Sequence, residues 1–339
     1  MRRLETHAYA RAGLVGNPSD GYFGKTLSVS IRDFAARIVM YDWPTLEILP
    51  CAQDHVRFGN LTELALDVRQ NGYYGGLRLV KGSLKRFHDY CVENDIDLPD
   101  RNFTIRYETN IPRQVGLAGS SAIITATFRA LMQWFEIEIP LHILPNWILS
   151  VERDELGIGA GLQDRVCQAY EGLVYMDFNR EQMERCGHGS YTRLNTALLP
   201  PLYLAYKEQL AEGSEVVHNN LRERWNRGEE KVLAAMFEFA RITEQAQICL
   251  MEGRREEFAK LIDANFELRR GIIGISSTHL EMVETARRCG ASAHFAGSGG
   301  AIIGSYASND AFERLRLELG RIGCRVIRPQ LDSDNQPGT

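Results

Sequence analysis

No run of apolar residues in this chain of 339 residues approaches the roughly 20 that a membrane-spanning helix needs. Positive charge is not in excess either, because 39 lysines and arginines stand against 44 acidic residues, giving a formal charge of -5. The first residues, Met1 to His7, carry a basic pair but no apolar stretch typical of a signal peptide. We therefore expect a cytoplasmic protein that binds neither membrane nor nucleic acid.

The chain also lacks paired cysteines. Its seven cysteines are scattered and odd in number, and none has the Cys-x-x-Cys spacing of a zinc or redox site. Reduced and mostly buried thiols are therefore expected, as in cytosolic proteins. The histidines show no metal-ligand spacing, so none of them is assigned as a ligand.

What the chain does contain is the composition of a globular protein, with 44% hydrophobic and 24% charged residues. Strand and helix patterns alternate up to about residue 190, amphipathic helices follow within 215–275, and strand–helix alternation then returns. The sequence predicts an α+β fold of two lobes, 1–190 and 191–331, followed by a polar tail, 332–339, that is expected to be disordered. In the first lobe, strands are expected at 7–15, 26–31, 35–41, 46–49, 103–108 and 172–178, and helices at 61–70, 76–95, 122–135 and 145–156.

One stretch combines a proline at 112, the small-residue loop Gly116-Leu-Ala-Gly119-Ser-Ser121, and an apolar run that predicts a helix. Glycines let backbone N–H groups approach a ligand closely, and a helix N-terminus adds free donors and a positive dipole end. The loop is therefore suited to polyphosphate. It is not a Walker A loop, because no Gly-Lys-Ser/Thr follows.

Two further small-residue loops lie at 13–24 and 297–300. Taken alone, Gly-Ser-Gly-Gly after a strand is more often a tight turn than a ligand site. Glu152 precedes another glycine-rich loop and is either a solvated helix residue or a functional carboxylate. Asp164 lies at the end of that loop, where the residues alone favour a helix N-cap.

These motifs, in this order, resemble the GHMP kinase superfamily, which includes galactokinase, homoserine kinase, mevalonate kinase and phosphomevalonate kinase. Within the second motif, Ala118 departs from the family pattern as an extra residue before the second glycine. The resemblance implies a two-lobed fold, with an N-terminal lobe like domain 2 of ribosomal protein S5 and a ferredoxin-like α+β C-terminal lobe. The matching segments are Gly16-Asn-Pro-Ser-Asp20, Pro112 to Ala122, Glu152 through Gly157 and Gly161 to Asp164, and Gly297-Ser-Gly299-Gly300.

Within that superfamily, several stretches are similar to the glucuronokinase family in particular. This likeness implies the reaction of ATP with D-glucuronate to give D-glucuronate 1-phosphate and ADP, feeding UDP-glucuronate synthesis. The stretches are Arg11 to Asp20, Asn71-Gly-Tyr-Tyr-Gly-Gly76, Thr109 to Ala122, Gly161-Leu-Gln-Asp-Arg165 and Gly172 to Phe178.

The resemblance also implies roles for individual residues. Ser121 and Glu152 are expected to hold Mg²⁺, a hard cation that prefers oxygen ligands and substrate phosphate. Asp164 becomes the candidate base for the sugar hydroxyl, with Arg11 as the catalytic cation and Lys25 as its competitor. The expected phosphate-binding residues are Pro112, Gly116, Leu117, Ala118, Gly119, Ser120, Ser121, Ala122 and Gly299.

Glucuronate carries a carboxylate, so the sugar pocket should contain a cation. Arg165 is the first candidate, and Arg113 and Lys25 are alternatives, with Arg113 also placed to touch phosphate. Adenine is expected within 55–90, where a stacking role for Tyr73 or Tyr74 competes with simple packing. The expected binders of the sugar itself are Asn17, Ser19, Asp20 and Tyr175.

Other activities stay open at this point. A GHMP kinase for L-arabinose, L-fucose, galactose or a heptose would not need the extra cation, and a mevalonate-type kinase fits the first motif less well. A catalytically silent member that binds sugar or nucleotide is the alternative from another class. The expected partners are ATP and a sugar or uronic acid, in a monomer or a homodimer.

Overall fold

One long strand organises the first half of the chain. The computed structural model describes residues 2–51, 54, 60, 66, 75–207 and 221–331. In it, β2 (Lys25–Asp42) pairs along its length with β1 (Arg3–Val15). The start of β2 pairs with β5 (Leu173–Asp177), and its end pairs with β4 (Phe103–Thr109). The sheet is completed by β3 (Glu47–Leu49), parallel to β4, and by β6 (Ser190–Leu194), antiparallel to β5.

The two strands predicted at 26–31 and 35–41 are one strand in the structure. The register with β1 jumps at this point, since Tyr9 lies opposite Ala35 while Ala10 lies opposite Ile31. Residues 32–34 therefore form an irregularity of the bulge type rather than a break between strands.

Helices cover one face of this sheet. α2 (Gly119–Phe135) packs on β1 and β2, and α1 (Gly76–Glu93) packs on α2. The predicted helix at 145–156 is divided: α3 (Leu144–Ser150) ends in a π-helical turn, Val151–Glu155. Such turns occur often at functional sites. Other helical elements described in this half are α4 (Leu162–Tyr170), α5 (Arg180–Cys186) and the single 3-10 turns Ser19–Tyr22 and Thr196–Leu198.

The second half contributes a four-stranded antiparallel sheet. Its order is β10-β7-β9-β8. The strands are β7 (Leu202–Tyr206), β8 (His294–Phe295), β9 (Ala301–Ser305) and β10 (Arg325–Ile327). The helices are α6 (Glu230–Met251), α7 (Arg255–Ile272), α8 (Ser277–Arg288) and α9 (Asn309–Arg321), with residues 221–226 helical before them.

The described residues thus form an α+β structure, as predicted. The main hydrophobic core is shared by the two halves, since it contains Ile38 and Phe128 of the first together with Leu204, Ile242 and Ile303 of the second. The first sheet ends at Leu194 and the second begins at Leu202, and the division at 190/191 stays a prediction. No helix within the described ranges is long and apolar enough to cross a membrane. The predictions for Tyr73, Tyr74 and 332–339, and for 61–70 apart from Leu66, lie outside the described residues.

Candidate active site

The three small-residue loops meet at one place. A Cβ added at Gly297 would lie 2.1 Å from the carbonyl oxygen of Gly116, so the loops 116–121 and 297–300 are in direct backbone contact. Gly13 joins them, because its N–H donates to the carbonyl of Ala296 at 2.7 Å. Gly116 has a φ of +76°, which favours glycine, and no side chain would fit there against Ser298. The loops singled out by sequence therefore form one structural unit.

Arg11 of β1 ties this unit to Asp164. Its Nε and Nη2 atoms lie 2.7 and 2.5 Å from one carboxylate oxygen of Asp164. Its Nη1 donates to the carbonyl oxygens of Ala296 at 2.5 Å and Gly116 at 3.2 Å. Only 4% of Arg11 is exposed. One buried guanidinium thus fixes the candidate base relative to both glycine-rich loops.

Asp164 lies in the first turn of α4, but it does not cap that helix. The N-cap position is Gly161, and the carboxylate of Asp20 instead accepts the N–H of Gln163 at 3.2 Å. The side chain of Asp164 is 21% exposed while Arg11 and Arg165 both contact it. It is therefore a carboxylate that a ligand can reach and that two cations stabilise.

Asp20 lies directly beside that carboxylate. Burial, and then the negative charge of Asp164, raise the pKa of Asp20, while the N–H of Gln163 opposes the change. The fit is close, because a Cβ on Gly161 would come 2.1 Å from a carboxylate oxygen of Asp20. Two acidic side chains thus lie at the start of α4, and the contact of Asp20 with sugar hydroxyls stays a prediction.

Asn17 and Ser19 are buried within the same loop. The amide of Asn17 donates to Gln163 at 3.0 Å and accepts from Arg269 at 3.0 Å. The hydroxyl of Ser19 donates to the carbonyl of Lys25 at 3.0 Å. Both side chains therefore hold the loop in shape, and their predicted contact with sugar stays a prediction.

Lys25 is occupied elsewhere in the structure. Its ammonium group lies 3.0 Å from Asp177 and also contacts Glu244. Burial opposes the charge of Lys25, but the hydrogen bonds to Glu244 and Asp177 outweigh burial and raise its pKa. Tyr175 is partly buried beside it, and burial raises the pKa of that phenol. Of the two predicted cations, Arg11 is the one that the structure pairs with Asp164.

A second carboxylate, Glu152, lies at the N-terminus of α2. The hydroxyl of Ser120 donates to one of its oxygens at 2.8 Å, whereas the hydroxyl of Ser121 donates to the carbonyl of Ala118 at 3.1 Å. Ala118 adopts a left-handed conformation, with φ of 60°, as the N-cap of the helix that starts at Gly119. Ser120, rather than the predicted Ser121, therefore lies next to Glu152.

Arg165 bridges the two carboxylates. It is 3% exposed, forms an ion pair with Glu152, and lies 3.3 Å from Asp164. Its Nη1 also donates to the carbonyl of Gly161 at 2.9 Å. A buried ion pair of this kind is costly to break, because the remaining charge would be left without a partner. The first candidate for the uronate anchor is thus already engaged with protein carboxylates.

The remaining predicted phosphate-binding residues contribute through their backbone. The side chains of Leu117 and Ala122 are buried in the core, and the first N–H groups of α2, from Gly119 onwards, have no acceptor within the helix. Pro112 precedes this turn, and Arg113 is exposed beside it. A helix N-terminus with glycine neighbours is a ready anion site.

Sequence reasoning missed Arg269 of α7. Its Nη1 donates to the carbonyl of Gly297 at 2.7 Å as well as to Asn17, and its Nη2 donates to the carbonyl of Ser298 at 3.2 Å. Burial, and then the charge of Arg11, lower the pKa of Arg269 to about 10. Arg269 thus joins the loops at 13–24 and 297–300. No sequence signal separates it from the other arginines of an amphipathic helix.

We expect Arg269→Met to lower kcat/KM for both substrates by roughly tenfold or more, because small displacements of positioning groups are costly. Arg270→Met is the matched control, since Arg270 is the next residue and its side chain is 49% exposed. Steady-state kinetics of the two variants, with melting curves for each, make the comparison. Equal kinetics in both variants would contradict a positioning role for Arg269.

Comparison with known proteins gives concordant results. The family model described as GHMP kinases N terminal domain matches residues 78–172. Glucuronokinase 1 of Arabidopsis thaliana is 43% identical over 306 residues, which cover 88% of this chain and 84% of that protein. Probable glucuronokinase 2 of the same plant is 44% identical over 307 residues, covering 88% and 83%. The crystal structure of Lactococcus lactis galactokinase complexed with galactose superposes with a TM-score of 0.77 at 17% identity, covering 98% of this chain and 94% of that one. The last likeness concerns the fold alone, and it confirms the predicted α+β fold of the GHMP kinases.

Proposed function

The chain belongs to the glucuronokinase family of the GHMP kinases, and from this we propose that it transfers phosphate from ATP to the anomeric hydroxyl of D-glucuronate. It is an ATP-dependent sugar kinase, and the products are D-glucuronate 1-phosphate and ADP. The observation that carries the proposal is the Arg11–Asp164 pair, held at the contact of two glycine-rich loops in a chain 43% identical to a glucuronokinase.

The geometry supports a direct in-line transfer. Asp164 takes the proton of the anomeric hydroxyl as its oxygen attacks the γ-phosphorus, and the bond from that phosphorus to the bridging oxygen of ADP breaks. The N-terminus of α2 and the loop at 116–121 receive the phosphates through backbone N–H groups. Arg11 orients Asp164 and adds positive charge where the phosphoryl group passes. Positioning and charge neutralisation therefore account for catalysis without a covalent intermediate.

Magnesium is part of this proposal. The Glu152 carboxylate and the Ser120 hydroxyl, 2.8 Å apart at the start of α2, are the hard oxygen donors that Mg²⁺ prefers. Among the described residues there is no cluster of three His, Cys, Asp or Glu side chains suited to a metal. Mg²⁺ commonly takes one or two protein carboxylates and completes its shell with phosphate and water. When bound, Mg²⁺ neutralises phosphate charge.

Two neighbouring serines provide a test of the metal ligands. We expect Ser120→Ala to raise the Mg²⁺ concentration for half-maximal activity several-fold, since Ser120 is the hydroxyl beside Glu152. Ser121→Ala should change that value less, because the Ser121 hydroxyl bonds Ala118. Activity titrations with Mg²⁺ at saturating ATP measure both. A larger effect of Ser121→Ala would favour Ser121 as the metal ligand, as the motif predicts.

The substrate class is tested by ADP release across uronic acids and neutral sugars. We expect turnover of D-glucuronate and at least tenfold lower kcat/KM for galactose, L-arabinose and L-fucose, because neutral sugars lack the carboxylate. Preference for a neutral sugar would favour another sugar kinase of the superfamily. No ADP release with any sugar would favour a silent binding protein. A cytoplasmic location and a monomer or homodimer stay predictions from the sequence.

A further inference from the structure

The substrate carboxylate needs a cation that protein carboxylates do not already neutralise, and this requirement rests on the proposed function. Charged hydrogen bonds to an arginine fork are the usual solution. Three predicted cations near the site are already paired in the structure. They are Arg11 with Asp164, Arg165 with Glu152, and Lys25 with Asp177 and Glu244.

Arg222 is a further cation, and it lies against the loop at 13–24. A Cβ added at Gly21 would be 2.9 Å from Nη2 of Arg222, so the guanidinium rests directly on the backbone of residue 21. Its Cζ atom lies 4.3 Å from the ring centroid of Tyr22. The residue is exposed, and within the described part of the chain no carboxylate forms an ion pair with it.

The position of Arg222 is fixed by packing. Tyr22 is 6% exposed, and Trp225, three residues after Arg222, packs against it with ring centroids 5.1 Å apart. Leu221 is buried in the same apolar cluster. Stacking on an aromatic face leaves the N–H edge of a guanidinium free for a planar anion. The arginine is therefore held in place with its donors available.

Contacts through the loop at 13–24 also connect Arg222 with the reacting end of the site, where Asp164 lies. Gly21 follows Asp20, whose carboxylate bonds the N–H of Gln163, the residue before Asp164. Asp20 and Gly21, adjacent in one loop, thus contact the start of α4 and the guanidinium of Arg222 respectively. A pyranose with its anomeric hydroxyl at Asp164 and its hydroxyls at Asp20 directs its far end towards Arg222. A side chain larger than glycine at residue 21 would push the guanidinium away.

We propose that Arg222 binds the carboxylate of the uronic acid and sets the preference for uronates over neutral sugars. In this arrangement Arg165 serves to position Glu152 and Asp164 rather than to bind the substrate. The proposal assigns substrate discrimination to a residue of the second half of the chain, while the chemistry stays in the first.

The test compares D-glucuronate with its neutral amide, D-glucuronamide. Arg222→Gln should raise KM for glucuronate by roughly 10- to 100-fold, the range for a lost charged hydrogen bond, with little change in KM for ATP. KM for the amide should change less than threefold, and Arg222→Lys should keep part of the preference. Arg227→Gln is the matched control, because its side chain is 77% exposed in the same segment. Melting temperatures verify that each variant is folded.

Three results would overturn the inference. The first is an unchanged KM for glucuronate in Arg222→Gln. The second is an equal rise in KM for glucuronate and for its amide in Arg222→Gln, which would indicate a structural role. The third is a rise in KM for glucuronate but not for the amide in Arg165→Gln, which would identify Arg165 as the anchor. The proposed function fails separately, through absence of glucuronate turnover by the unmodified protein. If the unmodified protein phosphorylates glucuronate and Arg222→Gln has the same KM for it, the proposed function stands and only the role of Arg222 is lost.

Discussion

Replacing Asp164 by asparagine is expected to lower kcat with glucuronate by roughly 100- to 10,000-fold, the range for losing a general base. Asparagine keeps the shape and one acceptor oxygen for Arg11, so the loops should stay in place. It cannot take a proton, and the anomeric hydroxyl is left without its acceptor. ATP affinity should change little, because the predicted phosphate contacts lie on the loop at 116–121.

The measurement is single-turnover phosphorylation together with ATP binding by calorimetry. Asp154→Asn is the matched control, since Asp154 is partly exposed and paired with its neighbour Arg153. We expect that control to keep kcat within about twofold, as is usual for surface changes. An Asp164→Asn enzyme with near-normal kcat would remove Asp164 from the role of base.

Arg11→Met is expected to impair both stability and activity. The substitution removes the buried guanidinium that donates to Asp164 and to the carbonyls of Gly116 and Ala296, in a site where Arg11 is 4% exposed. Breaking a buried ion pair costs about 3–5 kcal/mol, and Asp164 is partly exposed, so we expect about 3 kcal/mol of unfolding free energy to be lost. Loss of the cation at the transferring phosphoryl should lower kcat by at least about 1,000-fold.

Urea unfolding and steady-state kinetics measure the two effects. Lys25→Met is the informative comparison. The sequence offers Lys25 as the alternative catalytic cation, but in the structure it contacts Asp177 and Glu244. We expect a smaller loss of kcat in Lys25→Met than in Arg11→Met. The reverse order would make Lys25 the catalytic cation.

A double-mutant cycle adds a check on the Arg11–Asp164 contact. Residues that act as one unit show non-additive effects on rate. Arg11→Met combined with Asp164→Asn should therefore reduce kcat by clearly less than the product of the two single reductions.

The sequence was most informative where function constrains the backbone. The glycine loops at 116–121 and 297–300 were predicted as parts of one phosphate site, and the structure brings them into contact. Asp164 was assigned through the motif, although local pattern alone favoured a helix cap. In the structure Asp20, and not Asp164, accepts the N–H of Gln163 at the start of α4, and the role of Asp164 as base stays a prediction.

The sequence was least informative where one residue changes geometry. Ala118 looked like a simple insertion, but it is the left-handed N-cap of α2, and Ser120 rather than Ser121 lies beside Glu152. β6 was missed because its side chains are mostly exposed or half-buried and show no alternation. Arg269 and Arg222 were missed because their partners are backbone groups and rings distant in sequence. Only tertiary contacts identify such residues.

The central claim is that the carboxylate of Asp164 directs phosphoryl transfer to the anomeric hydroxyl of glucuronate. The most direct test is NMR of the product formed from ATP and D-glucuronate labelled with ¹³C at C1. We predict one sugar phosphate whose phosphorus couples to the labelled carbon, formed with one ADP per molecule, and absent in Asp164→Asn. Phosphate on a hydroxyl other than that of C1, or the same product from Asp164→Asn at an undiminished rate, would contradict this claim.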